Sequence, residues 1–174
     1  RFFASRADAP AHARGGKGDP VLGDRFSYPA IQADRLLQDG DTVTLGGTTL
    51  TAHVTAGHTR GCTTWTMKVD DGGRKLDAVF ICSTSVLPDT RLGADPSYPG
   101  IADDYARTFR VLRELPCDLF LASHGSFYDL KGKTERLRKG GEPNPFIDPE
   151  GYRAYVDRNE KAFRDRLARE KPAH

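Results

Sequence analysis

The sequence lacks a long apolar run, since nothing in its 174 residues approaches the roughly 20 consecutive apolar residues that cross a bilayer. It also has little net charge, because 26 basic residues are interspersed with 24 acidic ones. A net charge of +2 without a basic cluster argues against nucleic acid as a partner. We therefore expect neither a membrane protein nor a nucleic-acid-binding protein.

Cysteine is scarce too, and the three present, Cys62, Cys82 and Cys117, stand far apart without a Cys-x-x-Cys pair. This spacing excludes the disulfide framework of a small secreted domain. The odd count leaves at least one thiol free, unless all three are simply small buried apolar side chains. For Cys62, which follows a turn with no base in register, we favour the small buried residue over a nucleophile.

The first residues lack the features of a signal peptide, namely a basic segment followed by a long apolar stretch. Residues 1–5 instead indicate a strand that is entered without a polar lead-in. We expect this chain to be the back part of a longer protein.

What the sequence does contain is a series of short strands followed by helices, in one domain of ordinary composition. Alternating or β-branched segments predict strands at residues 2–4, 33–37, 42–45, 48–54, 63–69, 75–82 and 118–122. Helical spacing and capping residues predict helices at residues 9–14, 101–115, 129–139 and 149–167. This order predicts an α/β fold in which helices cover one face of a mainly antiparallel sheet.

Two histidines, His58 and His124, each stand beside a glycine where a predicted strand has just ended. One such histidine is typical of an ordinary turn, but two in one domain indicate a shared metal or catalytic site. The other three are weaker candidates, because His53 is in mid-strand, His12 is inside a short helix and His174 is terminal. Two histidines alone do not complete a zinc site, which needs at least three protein ligands.

The segment around His58, GHTRGCTTW at residues 57–65, resembles the third-histidine motif of the metallo-β-lactamase superfamily. Its form is typical of the third subclass of the class B zinc β-lactamases. Further segments resemble that subclass in the same order, at residues 98–105, 115–118, 122–125 and 144–149. The resemblance covers essentially the whole chain.

This resemblance implies the αβ/βα four-layer sandwich of the family, with residues 1–174 as a single partial domain that supplies its C-terminal part. It also implies two zinc ions at the sheet rim, with His58 a ligand of the first and His124 of the second. The remaining ligands in the family come from a His-x-His-x-Asp-His loop, which this sequence does not contain. We therefore expect that loop upstream, no complete catalytic set in this chain, and one zinc or none bound by the chain alone.

The loop after residue 82 corresponds by resemblance to the substrate-contacting loop of the family. We predict Ser83, Thr84 and Ser85 as substrate-binding residues, with Thr84 as the contact to a substrate carboxylate. The alternative is a solvated cluster of loop hydroxyls. Each metal-bound histidine is expected to have a partner on its second ring nitrogen, and the candidates are the hydroxyls of Thr59, Ser83 and Thr84, among which the sequence does not choose.

Three functions are compatible with these observations. The first is part of a periplasmic or secreted zinc enzyme that hydrolyses β-lactam antibiotics, inactive or nearly so as an isolated chain. The second is another hydrolase of the same fold, such as a lactonase, a glyoxalase or a quorum-signal hydrolase. The third is a non-catalytic fragment. Because half of a four-layer sandwich exposes an apolar face, we also expect self-association or pairing with the missing N-terminal part.

Overall fold

The computed structural model describes residues 1–140 and 144–170. In this part of the chain the strands are β1 Phe3–Ser5, β2 Arg35–Leu37, β3 Thr42–Leu45, β4 Thr48–Val54, β5 Thr63–Asp71, β6 Arg74–Ile81 and β7 Leu119–Ala122. The helices are α1 Ala9–Ala13, α2 Ile101–Glu114, α3 Leu130–Arg138 and α4 Pro149–Glu170, with a 3-10 turn at Gly125–Phe127. None of the helices described is long and apolar enough to cross a bilayer.

The main sheet has five strands in the order β3-β4-β5-β6-β7. Strands β3 to β6 pair antiparallel, as predicted, with two-residue turns between β3 and β4 and between β5 and β6, and with the longer segment 55–62 between β4 and β5. Strand β7 then adds to β6 in parallel after the crossover through α2. Strands β4, β6 and β7 consequently run in the same direction, so their carboxyl ends lie at one edge of the sheet. We call this edge the sheet rim; it comprises residues 55–62, 82–85 and 123–125.

Strands β1 and β2 pair with each other in parallel and form a separate two-stranded sheet. The residues between them contain α1 and a long irregular segment, which includes the isolated bridge of Asp19 with Gly23. The glycine- and proline-rich composition of residues 17–30 predicts this loop.

Helices α2 and α4 cover the sheet with their apolar stripes, and the predicted helical spacing is confirmed. Tyr105 and Phe109 of α2 and Phe163 of α4 are each no more than 3% exposed. The rings of Tyr105 and Phe163 stack with centroids 5.2 Å apart. Full burial of a large apolar side chain contributes about 1.5–3 kcal/mol, so this layer fixes α2 and α4 against the strands that lead to the rim.

A disulfide joins Cys62 to Cys82, with their Cα atoms 5.9 Å apart. Cys62 is buried, as predicted, but it is paired, which the sequence analysis did not predict. Cys117 is the free thiol that the odd count requires. The pair could not be read from a separation of 20 residues. It forms because β5 and β6 are antiparallel neighbours, which places the residue before β5 beside the residue after β6.

Asp148 holds the start of α4 through three interactions. Its carboxylate accepts a hydrogen bond from the Gly151 N–H at 2.8 Å, which confirms the predicted cap. Its own N–H donates to the Asp118 carbonyl at 2.8 Å, next to β7. Its second carboxylate oxygen lies 2.7 Å from Nζ of Lys133, which is only 2% exposed. Helix α3 is thereby tied to α4 by a charge pair with one fully buried partner.

Replacing Asp148 with Asn should lower the free energy of unfolding at pH 7 by about 2 kcal/mol, because the buried ammonium of Lys133 loses its counter-charge. Partial burial acts to raise the pKa of Asp148, but hydrogen bonds from Lys133 and Gly151 hold the pKa below its usual value. The folded-state pKa thus lies below the unfolded value of about 3.9. The stabilisation by the ionised Asp148 carboxylate is therefore complete above the unfolded-state pKa. It is lost as the pH falls through the lower folded-state pKa.

Denaturant unfolding between pH 7 and pH 2 checks this expectation, with Asp165→Asn as the matched control. Asp165 forms an exposed pair with Lys161 on α4, and such a pair contributes less than about 1 kcal/mol. A stability gap between wild type and Asp148→Asn that stays constant down to pH 2 would contradict the assigned role.

Titration of the denatured, unreduced chain should find one reactive thiol, from Cys117, of the three cysteines present. In the folded chain this thiol should react slowly, because burial raises the pKa of Cys117 to about 12. Cys82→Ser should lower the free energy of unfolding by about 2–4 kcal/mol through loss of the cross-link. Cys117→Ser is the control, and a finding of three reactive thiols would exclude the disulfide.

Candidate metal site at the sheet rim

The turn that carries His58 is closed by backbone bonds and by glycine. The Thr55 N–H donates to the Cys62 carbonyl at 2.8 Å, and the Gly57 N–H donates to the Thr59 carbonyl at 2.9 Å. Gly57 has φ = +136°, and a Cβ atom there would lie 2.7 Å from the ring of Tyr105. Only glycine fits this close approach, so the residue before His58 rests directly on a core side chain.

Asp8 anchors the other half of the turn. Its two carboxylate oxygens accept a hydrogen bond from the Thr59 hydroxyl at 2.6 Å and one from the Gly61 N–H at 2.8 Å. The sequence predicts Asp8 as the N-cap of α1; it occupies that position but makes no side-chain cap bond. The Thr59 hydroxyl, one of the three candidates for orienting a histidine, therefore donates its proton to Asp8 instead.

The imidazole of His58 is oriented by a backbone carbonyl. Its Nδ1 lies 2.9 Å from the carbonyl oxygen of Ser85, and because a carbonyl can only accept, Nδ1 carries the proton. Nε2 is then the nitrogen with the free lone pair. Metal-bound histidines show this arrangement, with the second nitrogen donating to a carbonyl or carboxylate. The hydroxyls of Ser83 and Thr84, the other two candidates for this role, do not bond to His58.

The three residues predicted to bind substrate lie in the loop after β6, but they differ in exposure. Ser83 is 5% exposed, and its hydroxyl accepts the Ser85 N–H at 3.2 Å. Thr84 is 2% exposed, and its hydroxyl donates to the Tyr155 hydroxyl at 2.9 Å. Ser85 is half-buried, and its side chain makes no hydrogen bond within the described residues. Substrate binding by these residues stays a prediction, which this geometry favours for Ser85 over Thr84.

The same loop is held along its length by α4. Arg166 donates to the carbonyls of Pro88 and Thr90 at 3.0 and 2.9 Å. The carboxylate of Glu170 accepts the Gly93 N–H at 3.0 Å and also that of Leu92. The loop has no regular secondary structure, yet its backbone is fixed to α4, which packs on the sheet through its buried stripe.

His124 reaches the rim from β7. The Ser123 N–H donates to the Ile81 carbonyl at 2.9 Å, and the Ser123 hydroxyl bonds to the Cys82 carbonyl, which ties the end of β7 to the start of the Ser85 loop. The His124 ring is exposed and packs edge-on against Phe127 with centroids 4.9 Å apart.

The residues at the rim fit two positions of a zinc site and not a whole one. His58 is oriented as a ligand would be, and His124 presents an exposed imidazole on the same edge of the sheet. Within residues 1–140 and 144–170, however, no group of three histidine, cysteine or acidic side chains could hold a metal ion. Zinc needs at least three protein ligands, so further donors are required.

Two of the remaining histidines each bond through one ring nitrogen to a hydroxyl within the described residues. His53 Nε2 bonds to the Thr66 hydroxyl across the β4–β5 pair at 2.9 Å, and burial lowers the pKa of its imidazole. His12 Nδ1 bonds to the Tyr28 hydroxyl at 2.9 Å. His174 lies outside the described residues.

Two cavities open beside the site. The larger, of about 540 Å³, lies between the His58 turn and the segment of residues 7–28, with Arg60 stacked over the Tyr98 ring in its wall. The smaller, of about 300 Å³, lies between Ser85 and helix α4. Together they leave space for a ligand on both sides of the rim.

Sequence reasoning missed Asp8, Tyr105 and the Cys62–Cys82 pair as supports of this site. Their partners are 53, 20 and 20 residues away in sequence, and no local pattern marks such contacts. The one signal available was Gly57, because a glycine before a strand-end histidine indicates that something approaches the backbone closely.

Comparison with known proteins shows which solved structures and sequences this chain is similar to. No protein-family model matches the chain. The native FEZ-1 metallo-β-lactamase from Legionella gormanii superposes with a TM-score of 0.94 at 41% sequence identity, over 98% of this chain and 65% of that one. BJP-1, a subclass B3 metallo-β-lactamase of Bradyrhizobium japonicum, superposes with a TM-score of 0.89 at 37% sequence identity, over 98% of this chain and 64% of that one.

A probable metallo-hydrolase of Burkholderia pseudomallei is 32% identical over 96 residues, which cover 54% of this chain and 33% of that protein. The chain thus spans about two thirds of the length of the two solved structures and one third of this relative. The predicted fold class is confirmed by the superpositions. The chain therefore has the metallo-β-lactamase fold, and the proteins to which it is similar are class B3 metallo-β-lactamases and a probable metallo-hydrolase.

Proposed function

We propose that this chain forms part of a zinc-dependent hydrolase that cleaves the β-lactam amide bond. The observation that carries the proposal is the convergence of the His58 turn, the Ser85 loop and the His124 loop at one sheet rim. His58 is already oriented there with Nε2 free. The class B3 β-lactamases to which the chain is similar over nearly its whole length support the substrate class.

In this proposal His58 and His124 are donors to two different zinc ions, and the other ligands come from a His-x-His-x-Asp-His loop outside this sequence. A bound zinc ion supplies hydroxide at neutral pH, since it lowers the pKa of its water to about 7. The chain's own contribution is to orient His58 through the Ser85 carbonyl and to present His124 from the end of β7.

The loop of Ser83, Thr84 and Ser85 would hold the substrate. A β-lactam carries a carboxylate, and the Ser85 hydroxyl is the one in this loop that is partly exposed and free of other bonds within the described residues. We therefore propose Ser85 as the carboxylate contact, while Ser83 and Thr84 fix the shape of the loop.

A periplasmic or secreted location is also part of the proposal. The disulfide of Cys62 with Cys82 supports it, because structural disulfides persist in oxidising compartments and are rare in the cytosol. We further propose that the chain pairs with the part of the fold that carries the missing ligands, or with its own copy. Leu45, 82% exposed, and Phe26, 69% exposed, are apolar side chains that such pairing would cover.

Elemental analysis and hydrolysis of a chromogenic cephalosporin, on the same samples, test the function. The chain alone should bind at most one zinc and show no turnover, because two histidines do not complete a site. Refolding it with a separate polypeptide that supplies the part of the Legionella gormanii enzyme that this chain does not cover should raise the content to two zinc ions and produce turnover. Sedimentation velocity shows whether the two polypeptides associate.

In the reconstituted protein His58→Ala and His124→Ala should each lower kcat/KM at least about 100-fold, because each removes a proposed metal ligand. His53→Ala is the matched control and should change it little, since His53 bonds only within the sheet. Turnover of lactones but not of the cephalosporin would contradict β-lactam hydrolysis and indicate another hydrolase of the same fold. Two zinc ions without hydrolysis of either substrate would favour a non-catalytic role.

Ser85→Ala should raise KM for the cephalosporin about tenfold with little change in kcat, as expected for loss of one hydrogen bond to a charged group. Thr84→Val is the control, because its hydroxyl is buried against Tyr155. A larger rise in KM for Thr84→Val than for Ser85→Ala would restore Thr84 as the carboxylate contact.

A further inference from the structure

The carbonyl oxygen of Ser85 is shared by two donors from different parts of the chain. Nδ1 of His58 lies 2.9 Å from it, and the hydroxyl of Tyr105 donates to it at 2.8 Å. A carbonyl oxygen has two lone pairs, so both bonds form at once. The acceptor that orients His58 is thus itself held by a helix side chain.

Tyr105 is a rigid support for this acceptor. It is 1% exposed, lies on the buried stripe of α2 and stacks on Phe163 of α4. Burial raises the pKa of its phenol, so the hydroxyl keeps the proton that it donates. Ser85, in contrast, lies in a loop without regular secondary structure, where a carbonyl direction is not fixed by a strand or helix.

The ring of Tyr105 also contacts the other side of the site. A Cβ on Gly57 would lie 2.7 to 2.9 Å from three of its ring carbons, so the backbone next to His58 lies directly on the ring. One side chain therefore supports both the turn that carries His58 and the oxygen that receives its Nδ1 proton.

We propose that Tyr105 is a positioning residue that selects the tautomer and orientation of His58 through the carbonyl of Ser85. Its consequence for metal binding and hydrolysis rests on the proposed function. The positioning itself concerns only Tyr105, Ser85 and His58, and can be measured without zinc or substrate.

Nuclear magnetic resonance of selectively labelled protein tests each link. Serine labelled at its carbonyl carbon with ¹³C and valine labelled with ¹⁵N give one unique signal, because Ser85-Val86 is the single Ser-Val pair in the sequence. Imidazole ¹⁵N shifts report which nitrogen of His58 carries the proton, and a His58→Gln sample assigns that signal. In the wild type we expect the proton on Nδ1.

Tyr105→Phe keeps the ring under Gly57 and removes only the hydroxyl. The Ser85 carbonyl ¹³C signal should move upfield as it loses one donor. The ratio of Nδ1–H to Nε2–H in His58 should fall about 3- to 10-fold, the equivalent of one neutral hydrogen bond. Zinc affinity of the reconstituted site should fall by a similar factor.

Tyr152→Phe is the matched control, because it removes a buried phenol that donates to the Leu112 carbonyl at 2.6 Å, in contact with neither His58 nor Ser85. It should leave both signals unchanged. The proposal is overturned if the wild type holds its proton on Nε2, if Tyr105→Phe moves the Ser85 signal but not the His58 ratio, or if Tyr152→Phe changes them equally. Absence of β-lactam turnover would bear on the proposed function and not on this result.

Discussion

The rim depends on one acceptor, the carbonyl oxygen of Ser85. It fixes the proton of His58 on Nδ1, and it is fixed in turn by the hydroxyl of Tyr105 in the helical layer. A histidine ring has two nitrogens of similar basicity, so the choice between them must come from a partner. Here that partner is a carbonyl in a loop. Tyr105, whose ring is packed against Phe163 in the core, holds this carbonyl through its hydroxyl.

The other contacts at the rim repeat this arrangement of a loop held by a distant element. Asp8 holds the His58 turn from the side of β1, while Arg166 and Glu170 hold the Ser85 loop from α4. The disulfide of Cys62 with Cys82 joins the turn to the loop covalently. Each of these contacts fixes a segment of backbone that has no strand or helix hydrogen bonds of its own. Loops preorganised in this way suit a site whose side chains must be oriented accurately.

Much of this architecture could be predicted from local sequence. The Gly46-Gly47 hairpin, the apolar stripe of α2 and the Asp148 cap of α4 each follow from a pattern within a few residues. The family resemblance then added the sandwich fold and the hypothesis that the two rim histidines bind different zinc ions. The disulfide was not predicted, and none of the three candidate hydroxyls is the partner of His58. Both contacts depend on which loops the antiparallel strands β4, β5 and β6 bring together.

The sequence by itself determined that His58 and His124 follow strand ends, since a strand period that stops at a glycine is a local property. It also determined that two histidines are too few for zinc. Only the tertiary structure decided that Ser85 offers its carbonyl to His58, that the Thr84 hydroxyl is buried against Tyr155, and that Tyr105 supports the site. These contacts join residues 20 to 71 positions apart, and their geometry is set by packing of α2 and α4 on the sheet.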